Sequence, residues 1–179
     1  MQTVLECLEH YKRMKKDYDF VLKSGVRFTL RFTYDQFYHI IGLQYLRGDA
    51  KLHIKGNTRA SLLKAIESGK ITQQQLEADP GYAQVRERVL YFDCFERFFS
   101  KDFCDRAYVF NSRTVPGYTQ IQAKYLLCQK IALPMGAGHL YLFLGVNDDG
   151  RSAYPCTYFP GVGNRFVRNQ KWDDIEEIR

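Results

Sequence analysis

The separation of helical and strand-like patterns along the chain is the feature that most constrains its fold. Before Ser100, apolar residues recur mostly at three- and four-residue spacing, which is typical of amphipathic helices. After Ser100, short runs rich in aromatic and β-branched residues alternate with turn-forming residues, which indicates strands. Because helices and strands are segregated, we expect an α+β fold in which N-terminal helices pack on one face of a C-terminal, mainly antiparallel sheet.

Local signals set the expected bounds of these elements. Helices are expected at residues 2–22, 33–48 and 58–68, in a short segment starting at 72, and from 79 to 99. Strands are expected at 27–32, 107–110, 120–127, 140–146 and 152–159, while 172–179 fits either a short helix or a frayed tail. Thr33 with Gln36, and Thr72 with Gln75, predict capping boxes. The length is usual for one domain, so residues 1–179 are expected to form a single α+β domain.

The net charge of +6 is concentrated towards the N-terminus. Residues 1–60 hold 11 Lys and Arg against 6 Asp and Glu, whereas the rest of the chain is nearly balanced. This excess fits a polyanionic partner such as RNA or DNA. A net charge of this size also occurs in proteins for which it serves only to keep the protein soluble. The charge therefore leaves two interpretations open, a nucleic-acid partner and a purely solvated surface.

The apolar runs and the cysteines do not indicate a membrane protein or a protein of an oxidising compartment. No apolar stretch reaches the roughly 18 residues that a membrane span requires, and the charged N-terminal segment lacks the apolar core of a signal peptide. The five cysteines are odd in number and widely spaced, which predicts reduced thiols rather than disulfides or a zinc site. We therefore expect a cytoplasmic protein with no membrane contact, no metal and no cofactor.

His39 is the histidine best suited to acid–base chemistry. It falls on a predicted helix, and Gly42 follows it one turn later. Glycine in a helix interior costs about 1 kcal/mol relative to alanine, which suggests a close approach of another backbone or of a ligand beside His39. The alternative is an ordinary packing contact with no ligand. His10 and His53 lie in polar stretches and are expected to be solvated, and His139 is expected in a loop before a strand.

Several further side chains have the chemistry that a metal-independent ribonuclease needs. Such an enzyme removes a proton from the ribose 2′-hydroxyl, stabilises charge on the phosphoryl oxygens and returns a proton to the leaving 5′-oxygen. Lys55 and Arg59 lie near the N-terminus of a predicted helix, where free backbone N–H groups favour phosphate, although solvated cations beside a capped helix are the alternative. Other candidates lie on the predicted strands and in the loop after them: Lys124, Thr157, Tyr158, Arg165 and Arg168.

Five segments resemble the phage-associated barnase–EndoU–colicin–RelE nucleases. Phe37–Leu43 is similar to the Phe-x-His-Leu-x-Gly helix motif of that family, and four strand segments match in the same order: Arg27–Phe32, Gln122–Leu126, Tyr141–Leu144 and Thr157–Pro160. The resemblance covers most of residues 20–170. It implies a barnase/RelE-like fold, RNA cleavage, a phage or prophage gene, and catalytic roles for His39 and Thr157. Lys124 stands where the family leads us to expect an acidic residue.

The first functional hypothesis is a metal-independent endoribonuclease, a toxin or phage host-takeover factor, that cleaves RNA by 2′-hydroxyl attack. Its catalytic residues would be His39, Thr157 and Arg165. RNA or phosphate would be bound by the other candidates: Lys55, Arg59, Lys124, Tyr158 and Arg168. Its partners would be single-stranded RNA, tRNA or mRNA, and an antitoxin or host protein. The alternatives are a catalytically inactive phage protein that binds RNA or blocks a host nucleoprotein, and a protein-binding module with no nucleic-acid contact.

Overall fold

The computed structural model describes residues 2–48, 58–117, 119–134 and 136–179. The chain forms two compact units, each built from two separate stretches. The helical unit comprises Met1–Met14 and Thr33–Asp93, and the sheet unit comprises Lys15–Phe32 and Cys94–Arg179. That the whole chain folds as one domain stays a prediction. In the described parts of the chain, no helix combines the length and apolar character that crossing a bilayer requires.

The helical unit contains short helices, some of which begin at a capping box. They are α1 (Val4–Arg13), α2 (Phe37–Ile40), α3 (Arg59–Glu67), α4 (Gln73–Glu77) and α5 (Tyr82–Leu90), with 3₁₀ turns at Tyr34–Gln36 and Leu43–Tyr45. The two predicted capping boxes, Thr33 with Gln36 and Thr72 with Gln75, are both formed. Each box pairs backbone N–H groups that the first helical turn cannot satisfy itself, so these side chains fix where the helices begin.

The core of the helical unit is joined by aromatic contacts. The ring of Phe37 lies 5.3 Å from the Tyr11 ring and 5.8 Å from the Phe92 ring, centre to centre. The Tyr11 hydroxyl donates to the backbone oxygen of Thr33 at 2.9 Å, so this buried tyrosine keeps its polar atom paired. Other fully or nearly fully buried residues of this unit are Val4, Leu8, Ile40, Leu62, Leu63, Val85 and Val89.

The sheet unit is a seven-stranded sheet that closes on itself. Its strands are β1 (Asp17–Leu22), β2 (Arg27–Arg31), β3 (Arg106–Val109), β4 (Tyr125–Leu133), β5 (Gly136–Val146), β6 (Ser152–Val162) and β7 (Lys171–Ile178). The order is β1-β2-β6-β5-β4-β3-β7, and β7 pairs back to β1. β2 and β6 run parallel, whereas the other neighbouring strands are antiparallel. The predicted α+β class with a mainly antiparallel sheet is confirmed.

Stacked and edge-on aromatic rings cover one face of the sheet. Phe28 on β2 lies between Phe20, at 5.0 Å, and Tyr125, at 4.8 Å, with nearly parallel rings. Tyr158 on β6 meets the Phe95 ring edge-on at 5.1 Å. All five rings are buried, and their stacked and edge-on contacts form part of the core of the sheet unit.

The other side of β4, β5 and β6 is covered as well. Phe143 on β5 meets Phe110 edge-on at 4.9 Å and Phe166 at 5.4 Å, and Leu126 and Tyr141 complete this cluster. Residues 140–145 of β5 are therefore buried without alternation. A strand covered on both faces is apolar throughout, which explains why this stretch of sequence is so hydrophobic.

Several predicted elements differ from the structure. The helix expected over 33–48 is interrupted, because α2 spans only Phe37–Ile40 between two 3₁₀ turns and Gly42 ends it. Residues 17–22, expected as the end of a helix from residue 2, form β1, because pairing with β2 and β7 satisfies this backbone and buries Phe20 and Leu22. Residues 171–178 form β7 rather than a helix or tail, since β3 and β1 lie on its two sides. The helix expected over 79–99 is α5 followed by a 3₁₀ segment, Phe92–Phe99.

The cysteines are free thiols in the structure. Burial raises the pKa of Cys104 to about 12 and that of Cys128 to about 12. These two thiols therefore stay protonated at neutral pH, and a protonated buried thiol is a poor nucleophile and a poor metal ligand.

Candidate functional site

His39 sits near the end of α2, where the chain turns sharply at Gly42. Gly42 has φ +86°, a left-handed conformation that ends the helix and that side chains other than glycine rarely adopt. A Cβ at this position would lie 2.9 Å from Cδ of Arg88. The group that approaches Gly42 is the side chain of Arg88, which is neither another backbone nor a ligand. The expectation of room for a ligand at Gly42 is therefore wrong, and the alternative of an ordinary packing contact describes this position.

Arg88 is a buried cation that caps α2. It is 4% exposed, and its Nη1 donates to the backbone oxygens of His39, at 3.2 Å, and Ile40, at 3.3 Å. Its Nη2 lies 3.5 Å from the Tyr45 hydroxyl. The last carbonyls of a helix have no partner within the helix and carry its partial negative charge, so a guanidinium placed there is stabilising. The result is a fixed positive charge next to His39.

This environment favours the neutral form of His39. The side chain is half-buried, and its pKa lies below the ordinary value of 6.5, first because burial disfavours the charged ring and then because Arg59 and Arg88 repel it. The exposed Arg59 guanidinium lies 6.0 Å from the centre of the neighbouring Tyr38 ring. A neutral imidazole can accept a proton at pH 7, and an exposed guanidinium beside it can bind a phosphate.

The other predicted catalytic residues, Thr157 and Arg165, belong to the sheet unit. Lys55 lies outside the described residues. Thr157 is half-buried on β6 opposite Phe143, in the sheet unit. Arg165 is exposed after β6, with its guanidinium 5.1 Å from the Phe166 ring. Because Phe166 packs on Phe143, Thr157 and Arg165 border the same aromatic cluster.

Three predicted RNA-binding residues of the sheet unit have different exposure. Lys124, just before β4, and Arg168, in the loop before β7, are both exposed and can contact a ligand. Tyr158 is 0% exposed and packs edge-on against Phe95 and Phe98. Its assignment to RNA binding is therefore wrong, because on β6 its side chain points into the core rather than towards solvent.

His139 was expected in a loop and lies within β5, opposite Lys130 of β4. Its Nδ1 is 2.6 Å from the backbone oxygen of Gly163. A carbonyl oxygen only accepts hydrogen bonds, so this contact requires a proton on Nδ1 and leaves Nε2 of the neutral ring as an acceptor. Because glycine is uncommon in strands, Gly136 and Gly138 kept the start of β5 from being predicted. The available signal was the turn sequence Pro134-Met135-Gly136, and the pairing of Leu133 with Gly136 sets Lys130 opposite His139.

A cavity of about 510 Å³ opens beside this pair. It forms where β4 continues past the end of its pairing with β3, so among the described residues only β5 pairs with the second half of β4. The polar and aromatic groups that line it have the chemistry of a nucleotide site: Arg97, Arg106, Tyr108, Gln129, Lys130 and His139. In the described parts of the chain, no group of three or more His, Cys, Asp or Glu side chains could hold a metal ion.

Comparison with models of known protein families shows which family this chain belongs to. A family model described as phage-Barnase-EndoU-ColicinE5/D-RelE like nuclease4 matches residues 3–177. The chain belongs to this family. Membership of this nuclease family implies a nucleic-acid substrate, and it confirms the resemblance seen in the sequence motifs. Searches of curated proteins and of solved structures find no match.

Proposed function

We propose that this family member is a metal-independent endoribonuclease in which His39 accepts the proton of the ribose 2′-hydroxyl. The observation that carries the proposal is the His39 imidazole itself, which is half-buried and kept neutral beside Arg59 and Arg88. A general base must be unprotonated at the working pH, and a neighbouring cation is needed for the charged phosphate. His39 and Arg59 supply these two functions without a metal.

In the proposed reaction the 2′-oxygen loses its proton to His39 and attacks the adjacent phosphorus. The bond from phosphorus to the 5′-oxygen breaks, the leaving 5′-oxygen takes up a proton from solvent water, and a 2′,3′-cyclic phosphate remains on the upstream product. Arg59 and Lys55 would hold the phosphate and stabilise charge on its oxygens. Thr157 and Arg165 belong to the sheet unit, and their catalytic role stays a prediction. The exposed Lys124 and Arg168 would add electrostatic attraction to the RNA.

The phage association of the family supports a role as a toxin or host-takeover factor that acts on cytoplasmic RNA. A second candidate function is an inactive RNA-binding protein on the same fold. Lys124 favours this alternative, because it stands where the family resemblance leads us to expect an acidic group. An inactive protein would still bind RNA, so turnover decides between the two.

The test uses one oligonucleotide sequence as labelled RNA and as labelled DNA, both in excess EDTA. We expect cleavage of the RNA with 2′,3′-cyclic phosphate ends, and no cleavage of the DNA, which has no 2′-hydroxyl. Cleavage that stops in EDTA and returns with magnesium or zinc would refute the metal-independent mechanism, and cleavage of the DNA would refute 2′-hydroxyl attack. RNA binding without turnover would favour the inactive binder.

A further inference from the structure

We infer that the cavity at the free edge of β4 binds one nucleotide of a single-stranded nucleic acid. Cationic groups of the cavity would contact the phosphate, and an exposed aromatic ring would stack on the base. The inference deepens the proposed function and rests on it for the choice of RNA as the probe. None of the residues that carry it is among those predicted from the sequence as catalytic or RNA-binding.

The strand pairing explains why a cavity exists here. The ladder between β3 and β4 ends where Ala107 lies opposite Leu127, whereas β4 stays paired with β5 as far as Leu133. Gln129, Lys130 and Ile131 line the cavity on this free edge, across from residues of the 97–108 segment. Open sheet edges expose backbone donors and acceptors, so the cavity is polar even before its side chains are considered.

The cavity has more cations than carboxylates. Arg97, Arg106 and Lys130 line it together with Asp102 and Asp105. Arg106 is held by two carboxylates, since its Nε lies 4.0 Å from Asp105 and 3.8 Å from Asp174. Arg97 and Lys130 are exposed, and both are within reach of a ligand in the cavity. This small excess of positive charge suits a phosphodiester, which carries one negative charge, better than an anion with several negative charges.

Two exposed aromatic rings accompany these cations. Phe103 lines the cavity and is 58% exposed, and Trp172 on β7 is 57% exposed. The Arg97 guanidinium lies 5.5 Å from the Phe103 ring centre, and that of Arg106 lies 5.4 Å from the Trp172 ring. Trp172 is also paired with Tyr108, which lines the cavity. Exposed rings beside guanidinium groups are the elements with which proteins stack unpaired bases.

His139 adds a fixed polar group to the cavity. Its Nδ1 is held by the hydrogen bond to the backbone oxygen of Gly163, and Lys130 lies directly opposite it on β4. Directly opposite residues of paired strands share one face of the sheet, so the imidazole and the ammonium group can contact the same ligand. Nε2 of the neutral ring would accept from a base, and Lys130 would contact the phosphate.

The test exploits Trp172, the one tryptophan of the chain. The full protein is titrated with a 2′-O-methyl oligouridylate, which cannot be cleaved, while tryptophan fluorescence and the anisotropy of a labelled oligonucleotide are recorded. We expect saturable quenching of Trp172 that follows the anisotropy change. Binding by anisotropy with unchanged fluorescence would overturn the inference, and so would equal quenching by an acidic peptide, which would indicate a protein partner instead.

Two variants locate the contacts. Trp172→Ala should weaken binding about 5- to 100-fold with little change in salt dependence, because it removes stacking rather than charge. Lys130→Ala should reduce the slope of log affinity against log salt by about 0.7, the value for one lost single-strand phosphate contact. The control Lys171→Ala removes an exposed lysine next to Trp172 that does not line the cavity, and its effect should be clearly smaller.

The outcomes separate this inference from the proposed function. If the wild type cleaves RNA but Trp172→Ala and Lys130→Ala bind like the wild type, the cavity inference fails and the ribonuclease proposal stands. If no RNA is cleaved yet the quenching and both variant effects are found, the ribonuclease proposal fails and the nucleotide site stands. Equal effects of Lys130→Ala and Lys171→Ala would show charge attraction without a site and overturn the inference.

Discussion

His39 and His139 show two ways in which a fold prepares a histidine. His39 ends a short helix of the helical unit, where burial and two guanidinium groups lower its pKa. His139 lies on a strand of the sheet unit, where a backbone carbonyl fixes its ring and its neighbours are a lysine, arginines and aromatic rings. The first arrangement controls protonation and suits proton transfer, whereas the second controls orientation and suits recognition.

The largest expected effect is that of His39→Ala on cleavage. Removing a positioned general base typically costs about 10²–10⁴-fold in rate, so kcat should fall by that amount while RNA affinity stays nearly unchanged. His139→Ala should do the opposite, raising KM with a nearly unchanged kcat, because the inferred cavity site uses His139 for binding and not for proton transfer. Steady-state kinetics and melting temperatures of both variants test this contrast. A destabilised His39→Ala protein with normal activity per folded molecule would mean that His39 is structural.

A smaller effect is expected from Gly42→Ala, which tests how Arg88 shapes the His39 site. The substitution forces a side chain into a left-handed conformation and against Arg88, so it should lower the free energy of unfolding by about 1–3 kcal/mol. Gly69→Ala is the matched control, since Gly69 has φ +72° but open space around it and carries only the backbone strain. Urea unfolding of both variants measures the difference. Equal losses of unfolding free energy in the two variants would show that the Arg88 side chain moves aside without destabilising the protein.

The smallest effect concerns the pH dependence of stability. In the unfolded chain His39 binds a proton near its ordinary pKa of 6.5, whereas in the native state it does so only at lower pH. Between these two pKa values the unfolded state holds more protons, so the free energy of unfolding falls as the pH is lowered through this window. His39→Gln should remove that part of the slope in urea unfolding measured from about pH 8 to pH 5. An unchanged slope would contradict a lowered pKa.

The sequence was informative where local chemistry decides the structure. Capping boxes at Thr33 and Thr72 were predicted from side chains that bond to a backbone three residues away, and such bonds need no distant partner. The hairpin turn at Asp148-Asp149-Gly150 is also local, because Asp149 accepts from the N–H groups of Arg151 and Ser152 at 2.8 Å. The motif around His39 led to the family for the same reason, since it is a contiguous stretch.

The sequence failed where partners are distant along the chain. Residues 17–22 carry helical spacing but became β1, because strands some ten and more than 150 residues away supply its hydrogen bonds. Tyrosine is common at binding surfaces, yet Tyr158 lies in the core. The register of β6 decides which face of the sheet its side chain occupies. Arg88 could not be connected with His39, since 49 positions separate them in the chain.

The sequence by itself therefore determined the α+β class, the helix starts, the nuclease family and His39 as a candidate. Tertiary structure alone decided that Arg88 fills the space at Gly42, that Tyr158 is buried, and that His139 meets Lys130 at a cavity. The physical reason is the range of the interactions. Caps, turns and contiguous motifs depend on residues a few positions apart, whereas burial, strand register and the charges around a histidine depend on contacts that form only when the whole unit has packed.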